Sequence, residues 1–256
     1  MRRFLVFLLS VNIFIAGCAT VYNEATGRKE IVLINSYQEA AIGRDVNRDI
    51  LRQFKPSNNL MIKRRLDKVG RRIREASDRK DIEYKFQVVE SDQINAFAIP
   101  GGYVYTTTAL MKAVGSDDEL AGVIGHEVGH IAARHPIKRL EASLGYSLLS
   151  AVAVALMNPG SNEEVQRLRD IQEVANLTYQ LIELGYSRND EMAADSLALR
   201  YTKRTGYNPA AVLTFMEKLL RQEQPGSEWL VFMRSHPHSR DRIAAIRKQL
   251  EENGDL

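Results

Sequence analysis

The sequence predicts an α+β fold, because a few short strands come first and a run of helices follows. Residues 82–88 alternate apolar and polar side chains, which is typical of a strand with one buried face. Two further extended segments, at residues 97–99 and 103–105, flank the turn sequence Pro100-Gly101-Gly102. After Thr108 nearly every segment has the apolar periodicity of a helix.

Two helices are predicted ahead of the first of these strands. Ser36 begins one of them, with Glu39 three residues further on, which is the spacing of a capping box. Asn58 or Asn59 begins the second helix, which runs to about Ala76.

Length and charge limit the class of protein. The chain has 256 residues, with 35 basic and 32 acidic side chains. This length suits one sizeable domain, which we place at residues 36–256. A protein that binds nucleic acid favours a clearly basic surface, so the balance of charges predicts no nucleic-acid partner.

The N-terminus has the layout of a secretory signal. Arg2 and Arg3 precede an apolar run that ends in small residues directly before Cys18, the only cysteine of the chain. Small residues before a cysteine resemble the cleavage box of bacterial lipoproteins. We therefore predict a signal peptide at residues 1–17, a lipid on Cys18, and a tether at residues 18–35. An ordinary signal peptide with an incidental cysteine, or an N-terminal anchor helix, is the alternative.

The place of the anchor follows from the residue after the cysteine. By resemblance to lipoprotein sorting rules, Ala19 directs the protein to the outer membrane, facing the periplasm. A second apolar segment, Leu144 to Met157, is too short for a good transmembrane helix. It is either a buried core helix or a hydrophobic segment that contacts the membrane.

The segment from Gly125 to His130 carries an H-E-x-x-H motif. Ser116 and Glu119 form a capping box upstream, and Pro136 is expected to end the helix downstream. At about 100° per residue, the two histidines lie about 40° apart on the face opposite the apolar stripe. The alternative to a metal site is a pair of hydrogen-bonded histidines in an ordinary helix.

The motif predicts two metal ligands and a base. His126 and His130 are the ligands, whereas Glu127 is rotated away from them toward a water that it can deprotonate. Gly125 and Gly129 lack side chains and so favour close packing beside the site.

A catalytic zinc site needs a third protein ligand. Glu191 is the best candidate, and Asp195 shares its helix face and can orient a ligand imidazole. Asn189 or Asp190 is expected to cap this helix. An acidic pair at this spacing is also common on solvated helix faces, but here the neighbouring residues are mostly apolar.

Four blocks together resemble the HtpX-like family of gluzincin peptidases, which includes CAAX prenyl proteases, and in particular its small periplasmic lipoprotein branch. The resemblance implies a mainly helical, zincin-like metallopeptidase domain with a small antiparallel sheet packed beside the H-E-x-x-H helix. It also implies one zinc ion per chain. The blocks are Asn95 to Gly102, His126 to His130, Glu191 to Asp195, and Ser235-His236-Pro237 followed by Arg242.

The resemblance also implies roles outside the motif. His236 is expected to stabilise the oxyanion or to act as a reversible fourth ligand, and Arg242 to orient or neutralise carboxylates. His238 competes with His236 for this role. The substrate is expected to lie extended, with Asn95, Ala96, Phe97 and Ala98 as the predicted substrate-binding residues. Either residues 97–99 or residues 103–105 could offer it an exposed strand edge, which the resemblance places beside the metal, and an ordinary core hairpin is the alternative.

The predicted function is that of a zinc-dependent endopeptidase of the bacterial envelope, acting on proteins or peptides. Misfolded envelope proteins are the substrate class that the resemblance suggests. Two alternatives remain: a chaperone-like lipoprotein with a latent zinc site, and a lipoprotein that keeps zinc for stability. Neither alternative needs a general base, so Glu127 favours the enzyme.

Overall fold

The computed structural model describes residues 19–143, 185–221, 230–237 and 240–256. Cys18, the apolar segment 144–157 and His238 lie outside these described residues. In chain order the elements are β1 (Ala19–Asn23), β2 (Arg28–Val32), α1 (Ser36–Gln53), α2 (Leu60–Ala76), β3 (Lys85–Val89), β4 (Ala96–Ile99), β5 (Tyr103–Thr107), α3 (Thr108–Ala113), α4 (Asp117–Ala132), α5 (residues 135–143, where this described range ends), α6 (Arg188–Arg204), α7 (Ala210–Arg221), α8 (Leu230–Ser235) and α9 (Arg240–Glu252).

The described strands form two sheets. β1 and β2 make an antiparallel hairpin, and the second sheet has the strand order β3-β5-β4. In this second sheet β4 pairs with β5 in antiparallel fashion, whereas β3 pairs with β5 in parallel. The α+β class is confirmed, and the sheet beside α4 is mixed rather than purely antiparallel. The reason is that the chain passes from β3 to the far side of β5 before the β4–β5 hairpin reverses it.

The turn between β4 and β5 depends on glycine. Gly101 and Gly102 have φ angles of 84° and 85°, in the left-handed region that side chains disfavour. A Cβ atom on Gly102 would lie 2.2 Å from the carbonyl oxygen of Glu83. The turn expected at Pro100-Gly101-Gly102 is therefore confirmed.

The cap of α1 lies one residue earlier than predicted, and the cap of α2 lies where it was predicted. Asn59 caps α2, as expected, but Asn35 caps α1 and forms a capping box with Gln38. The expected partner Glu39 is buried instead, and its carboxylate lies 2.6 Å from Arg79 Nη2. Spacing along the sequence does not distinguish two adjacent capping residues. The ion pair with the buried Arg79 does, because it keeps Glu39 from acting in the capping box.

The strand predicted at residues 82–88 is shifted in the structure. β3 covers Lys85–Val89, and Tyr84 lies just before it with its hydroxyl 2.7 Å from Ser77 Oγ. Tyr84 is buried although it precedes the strand. The alternating pattern therefore predicts which side chains face the core, but not where the strand pairing begins.

Helix α4 lies in the centre of the described core. Its apolar stripe of Leu120, Ile124, Val128 and Ile131 is almost completely buried. The helix packs against α2, the second sheet, α6 and α7. Among the described helices, none is long and apolar enough to span a membrane.

Candidate metal centre

Helix α4 begins as predicted and ends earlier. Ser116 caps it by accepting a hydrogen bond from the Glu119 amide, while the Glu119 side chain accepts from the amide of Gly115. The helix ends at Ala132, and Arg134 takes a left-handed φ of 62°. Pro136 then lies in the first turn of α5, a position where its missing N–H is tolerated.

Close packing of α4 on α6 builds the site. A Cβ on Gly125 would lie 3.2 Å from Ala198 Cα, and one on Gly129 would lie 3.1 Å from the carbonyl oxygen of Ala194. The two glycines therefore let the helix backbones approach closely. This approach brings Glu191, one turn before Ala194, to the histidines of α4.

Four buried side chains meet at this contact, and their ligand atoms all lie within 4.8 Å of one another. His126 Nε2 lies 3.0 Å from His130 Nε2, 3.4 Å from Glu191 Oε2 and 3.2 Å from His236 Nδ1. Glu191 Oε1 lies 3.4 Å from His130 Nε2 and 3.2 Å from His236 Nδ1. The structure thus brings together His126, His130, Glu191 and His236.

These separations suit a zinc ion. Donors at the corners of a tetrahedron with zinc bonds of about 2.0–2.1 Å lie about 3.3–3.4 Å apart. Counting either oxygen of Glu191, five of the six donor pairs are 3.0 to 3.4 Å apart, close to these values, and all four donors lie within 4.8 Å of one another. Three imidazoles and one carboxylate also make up the nitrogen and oxygen donor set that zinc prefers.

The charges around His126 also suit a cation. Burial by itself lowers the pKa of His126, but Asp195 and Glu191 outweigh it and raise the pKa to about 10. Burial lowers the pKa of His130 to about 3, so this ring is neutral, as a ligand must be. Burial also opposes ionisation of Glu191, yet the neighbouring histidines hold the pKa of its carboxyl well below its usual range.

An arginine stands behind the carboxylates. Arg242 Nε and Nη2 each donate to the carboxylate of Asp195 at 2.7 Å, and Nη1 lies 2.6 Å from Glu191 Oε2. Asp195 Oδ1 lies 3.0 Å from His126 Nδ1. Asp195 therefore connects the arginine to one ligand imidazole, and its charge favours the tautomer with a free Nε2.

The carboxylate of Glu127 is buried beside this cluster. Its contacts are weak: His236 Nε2 lies 3.3 Å from Oε1, and the backbone amide of Ala98 faces the carboxylate without a hydrogen bond of good geometry. Burial raises the pKa of Glu127, and these neighbours offset the rise only in part. Burying so weakly paired a carboxyl is costly, and proton transfer is a role that explains its presence.

His236 faces both the cluster and the sheet. Its Nδ1 lies among the ligand atoms, and its Nε2 lies 3.3 Å from the carbonyl oxygen of Ala96. The preceding Ser235 donates to Asn95 Oδ1 at 3.2 Å. Asn95 therefore uses its side chain to attach α8 to the sheet.

The strand predicted to bind substrate borders the cluster. In the described part of the sheet β4 pairs only with β5, which leaves the backbone groups of its other edge without a strand partner. The side chains of Ala96, Phe97 and Ala98 are buried, and Phe97 stacks on Tyr105 with ring centroids 4.9 Å apart. The group of this edge that faces the cluster is the Ala96 carbonyl, which lies 3.3 Å from His236 Nε2.

Sequence reasoning missed two residues that contact His130. His135 Nδ1 lies 2.9 Å from His130 Nδ1, and the ring of Tyr186 stacks on His130 at 4.0 Å. Asn189 and Asp190 were expected to cap α6, but Ser187 is the cap, which leaves Asp190 facing His135 Nε2 at 3.3 Å. His135 is one of only five histidines, and its place just after the motif was the available signal.

The family model for peptidase family M48 matches residues 61–250, which is most of the chain. The chain belongs to peptidase family M48. The resemblance seen in the four sequence blocks is therefore confirmed. Members are zinc metallopeptidases, so the chain is an enzyme of this class, and the cluster of three histidines and Glu191 can hold one zinc ion.

Curated relatives agree with this assignment. The chain is 26% identical over 206 residues to the β-barrel assembly-enhancing protease of Escherichia coli K12, covering 76% of this chain and 40% of the relative. It is 30% identical over 169 residues to the metalloprotease LoiP of the same organism, covering 66% of this chain and 64% of LoiP. A mitochondrial metalloendopeptidase OMA1 from Schizosaccharomyces pombe is 26% identical over 191 residues, covering 73% and 52%. The chain thus spans less than two thirds of the length of each of these relatives.

Proposed function

We propose that the chain is a zinc-dependent endopeptidase in which Glu127 is the general base. The observation that carries this proposal is the buried carboxyl of Glu127, which makes only weak polar contacts beside four potential ligands. A structural zinc site needs no such group, because its ligands alone satisfy the metal.

The metal and the protein side chains would carry out different parts of the reaction. A zinc ion held by His126, His130 and Glu191 would supply Lewis acidity, which polarises the scissile carbonyl and acidifies water. Glu127 accepts the proton of the attacking water and passes it to the leaving amine nitrogen. Its raised pKa suits both steps, because the same carboxyl must take up a proton and release it. Asp195 and Arg242 hold His126 in position.

We propose that His236 acts as a reversible fourth ligand. Four protein ligands close a zinc site, whereas catalysis needs an open position. His236 Nδ1 lies 3.2 Å from both His126 Nε2 and Glu191 Oε1, which supports a fourth bond to the metal. Once displaced, the same imidazole would donate to the oxyanion, so the two roles are compatible.

The substrate is expected to add to the edge of β4 that β5 leaves unpaired. The Ala96 carbonyl already points toward the cluster, because His236 Nε2 lies 3.3 Å from it. An extended peptide paired with Ala96 and Ala98 would run past the zinc ligands by strand addition. Since the side chains of β4 are buried, backbone groups would supply this binding and would favour extended or unfolded segments.

The N-terminal pattern supports a place in the bacterial envelope. We propose cleavage of residues 1–17, a lipid on Cys18, a tether at residues 18–35 and one peptidase domain at residues 36–256, facing the periplasm from the outer membrane. The name of the E. coli relative refers to β-barrel assembly, which agrees with misfolded or misassembled envelope proteins as substrates. Mass analysis of the mature N-terminus, with Cys18→Ala as the control, tests the lipid.

The central test compares casein cleavage by the wild type and Glu127→Gln at equal zinc content. Glutamine keeps the shape but cannot accept the proton, so we expect a fall of at least about 10²-fold. Elemental analysis must show that the variant still holds one zinc ion. Equal cleavage by both proteins would remove Glu127 from the mechanism.

A latent, chaperone-like protein is the second candidate, and the closed four-ligand cluster favours it. The variant His236→Ala distinguishes the two. An enzyme silenced by a fourth ligand should retain zinc and cleave casein faster than the wild type. A fall in rate of about 10²-fold would instead assign His236 to oxyanion stabilisation alone. No cleavage by any zinc-loaded form would favour the binding protein.

A further inference from the structure

His130, the second histidine of the motif, is contacted by a histidine outside the motif. His130 Nδ1 lies 2.9 Å from His135 Nδ1, and His135 Nε2 lies 3.3 Å from Asp190 Oδ1. We propose that His135 is a positioning residue that orients His130 and transmits to it the charge of Asp190. This inference rests on the proposed function, because it takes His130 as a zinc ligand through Nε2.

The role of His130 as a zinc ligand determines where the protons lie on His130 and His135. His130 can bind metal through Nε2 only if its own proton is on Nδ1, so Nδ1 donates to His135. His135 Nδ1 is then the acceptor, and its single proton must lie on Nε2. That Nε2–H points to the carboxylate of Asp190, which can only accept. The three contacts are therefore consistent with one assignment of tautomers.

The backbone is arranged to place His135 there. Helix α4 stops at Ala132, and Arg134 takes a left-handed φ of 62°, which turns the chain back toward His130. A non-glycine residue in this region is strained by about 1–3 kcal/mol. Arg134 Nη2 donates to the carbonyl of Ile34 at 2.7 Å and so holds the turn. A continuous helix would have carried residue 135 away from the ring of His130.

The cap of α6 leaves Asp190 available. Ser187 caps this helix, and its hydroxyl donates to Asp190 Oδ2 at 2.7 Å, while Oδ1 remains directed at His135. His135 is buried, whereas the side chain of Asp190 is 39% exposed. The carboxylate of Asp190 is thus partly solvated, so it can stay ionised without a buried counter-ion.

The two motif histidines are oriented in different ways. Asp195 contacts His126 Nδ1 directly at 3.0 Å, whereas His130 reaches its carboxylate through the intervening ring of His135. Both nitrogens of the buried His135 are in polar contact, one with a motif histidine and one with a carboxylate. The arrangement therefore points to orientation of His130.

The test measures zinc affinity by competition with a chelator for the matched pair His135→Leu and His135→Asn. The two side chains have nearly the same shape, but only asparagine offers an oxygen to the Nδ1–H of His130. Loss of such an outer partner typically weakens metal binding about 10–100-fold. We expect that loss for leucine and a loss within about threefold of wild type for asparagine. Urea unfolding of the metal-free proteins controls for stability.

Each other result is decisive. Wild-type affinity in His135→Leu, or equal losses in both variants, would overturn the role of the acceptor. If His135→Leu fails to fold, Asp190→Ala replaces it, because this side chain is partly exposed and the Ser187 cap remains. A fall of about threefold or more is expected there, and unchanged affinity overturns the proposal. A wild type that binds no zinc would overturn the proposed function and this inference together, whereas an unaffected His135→Leu overturns only the inference.

Discussion

Arg242 and Arg79 are each buried with a carboxylate partner, Arg242 beside the metal cluster and Arg79 near the C-terminal end of α4. Arg242 binds Asp195 through two hydrogen bonds of 2.7 Å. Arg79 binds Glu39 through bonds of 3.1 and 2.6 Å. All four side chains are largely removed from water. Desolvation opposes both pairs, so pairing offsets a cost in each case.

The pairs differ in what they hold. The Arg79 pair serves the backbone: Arg79 donates to the carbonyl of Ile131 at 3.0 Å, and Glu39 accepts from the amide of Gly101. The Arg242 pair serves a side chain, because Asp195 contacts the imidazole of His126. The comparison teaches that the burial of an ion pair determines how much it contributes to the free energy of unfolding. The other contacts of the pair determine whether it also affects metal binding.

The largest expected effect comes from removing either arginine. Arg79→Met leaves Glu39 with only Arg134, 3.6 Å away, as a basic partner among the described residues, and Arg242→Met leaves the buried Asp195 without its arginine. Loss of one partner of a buried ion pair costs about 3–5 kcal/mol of unfolding free energy. Urea unfolding of the metal-free proteins measures this loss. Only Arg242→Met should also weaken zinc binding, about 10–100-fold. Equal zinc affinities in the two variants would contradict the distinction between the pairs.

A smaller effect is expected from the glycine contact that places the carboxylates. In Gly129→Ala the new methyl group would lie 3.1 Å from Ala194 O and from Leu197 Cβ. Overpacking of this kind costs about 1–3 kcal/mol, and pushing α6 away should also weaken zinc binding. Gly115→Ala is the control, since its Cβ would lie no closer than 3.7 Å to the Glu119 side chain. Wild-type zinc affinity in Gly129→Ala would show that the helices tolerate the methyl group.

The smallest effect belongs to an exposed ion pair at the start of α4. Hydrogen bonds from Arg65 and Lys68 lower the pKa of Asp117, although burial acts against this shift. A lowered pKa in the folded state adds stability that is fully present above the unfolded value of about 3.9 and is lost as the pH falls through the folded value. We expect Asp117→Asn to cost at most about 1 kcal/mol at neutral pH.

Urea unfolding of both proteins at pH 7 and pH 3 checks this sign. The gap between wild type and Asp117→Asn should narrow at pH 3, because the wild-type carboxyl begins to be protonated. A gap that widens in acid would mean that Asp117 is not stabilised by its basic neighbours.

Much of the fold was predictable where the pattern is local. The start of α4 at Ser116, the cap of α2 at Asn59 and the turn at Gly101-Gly102 follow from residues within a few positions of one another. The cap of α1, the start of β3 and the cap of α6 were each wrong by one to three residues. In those places adjacent residues have similar local preferences, and the choice depended on contacts such as that of Glu39 with Arg79.

By itself the amino-acid sequence determined the helix that presents His126, Glu127 and His130, because helical periodicity directs these side chains wherever the helix lies. It also predicted Glu191, as the third ligand that a catalytic zinc site needs, and His236, through the resemblance of the four blocks to a peptidase family. Only the tertiary structure decided that His236 Nδ1 joins the cluster and that Arg242 binds both carboxylates. It alone showed that His135 returns to His130. The physical reason is that these contacts depend on the close approach of α4 and α6 and on one left-handed residue after α4, neither of which local periodicity records.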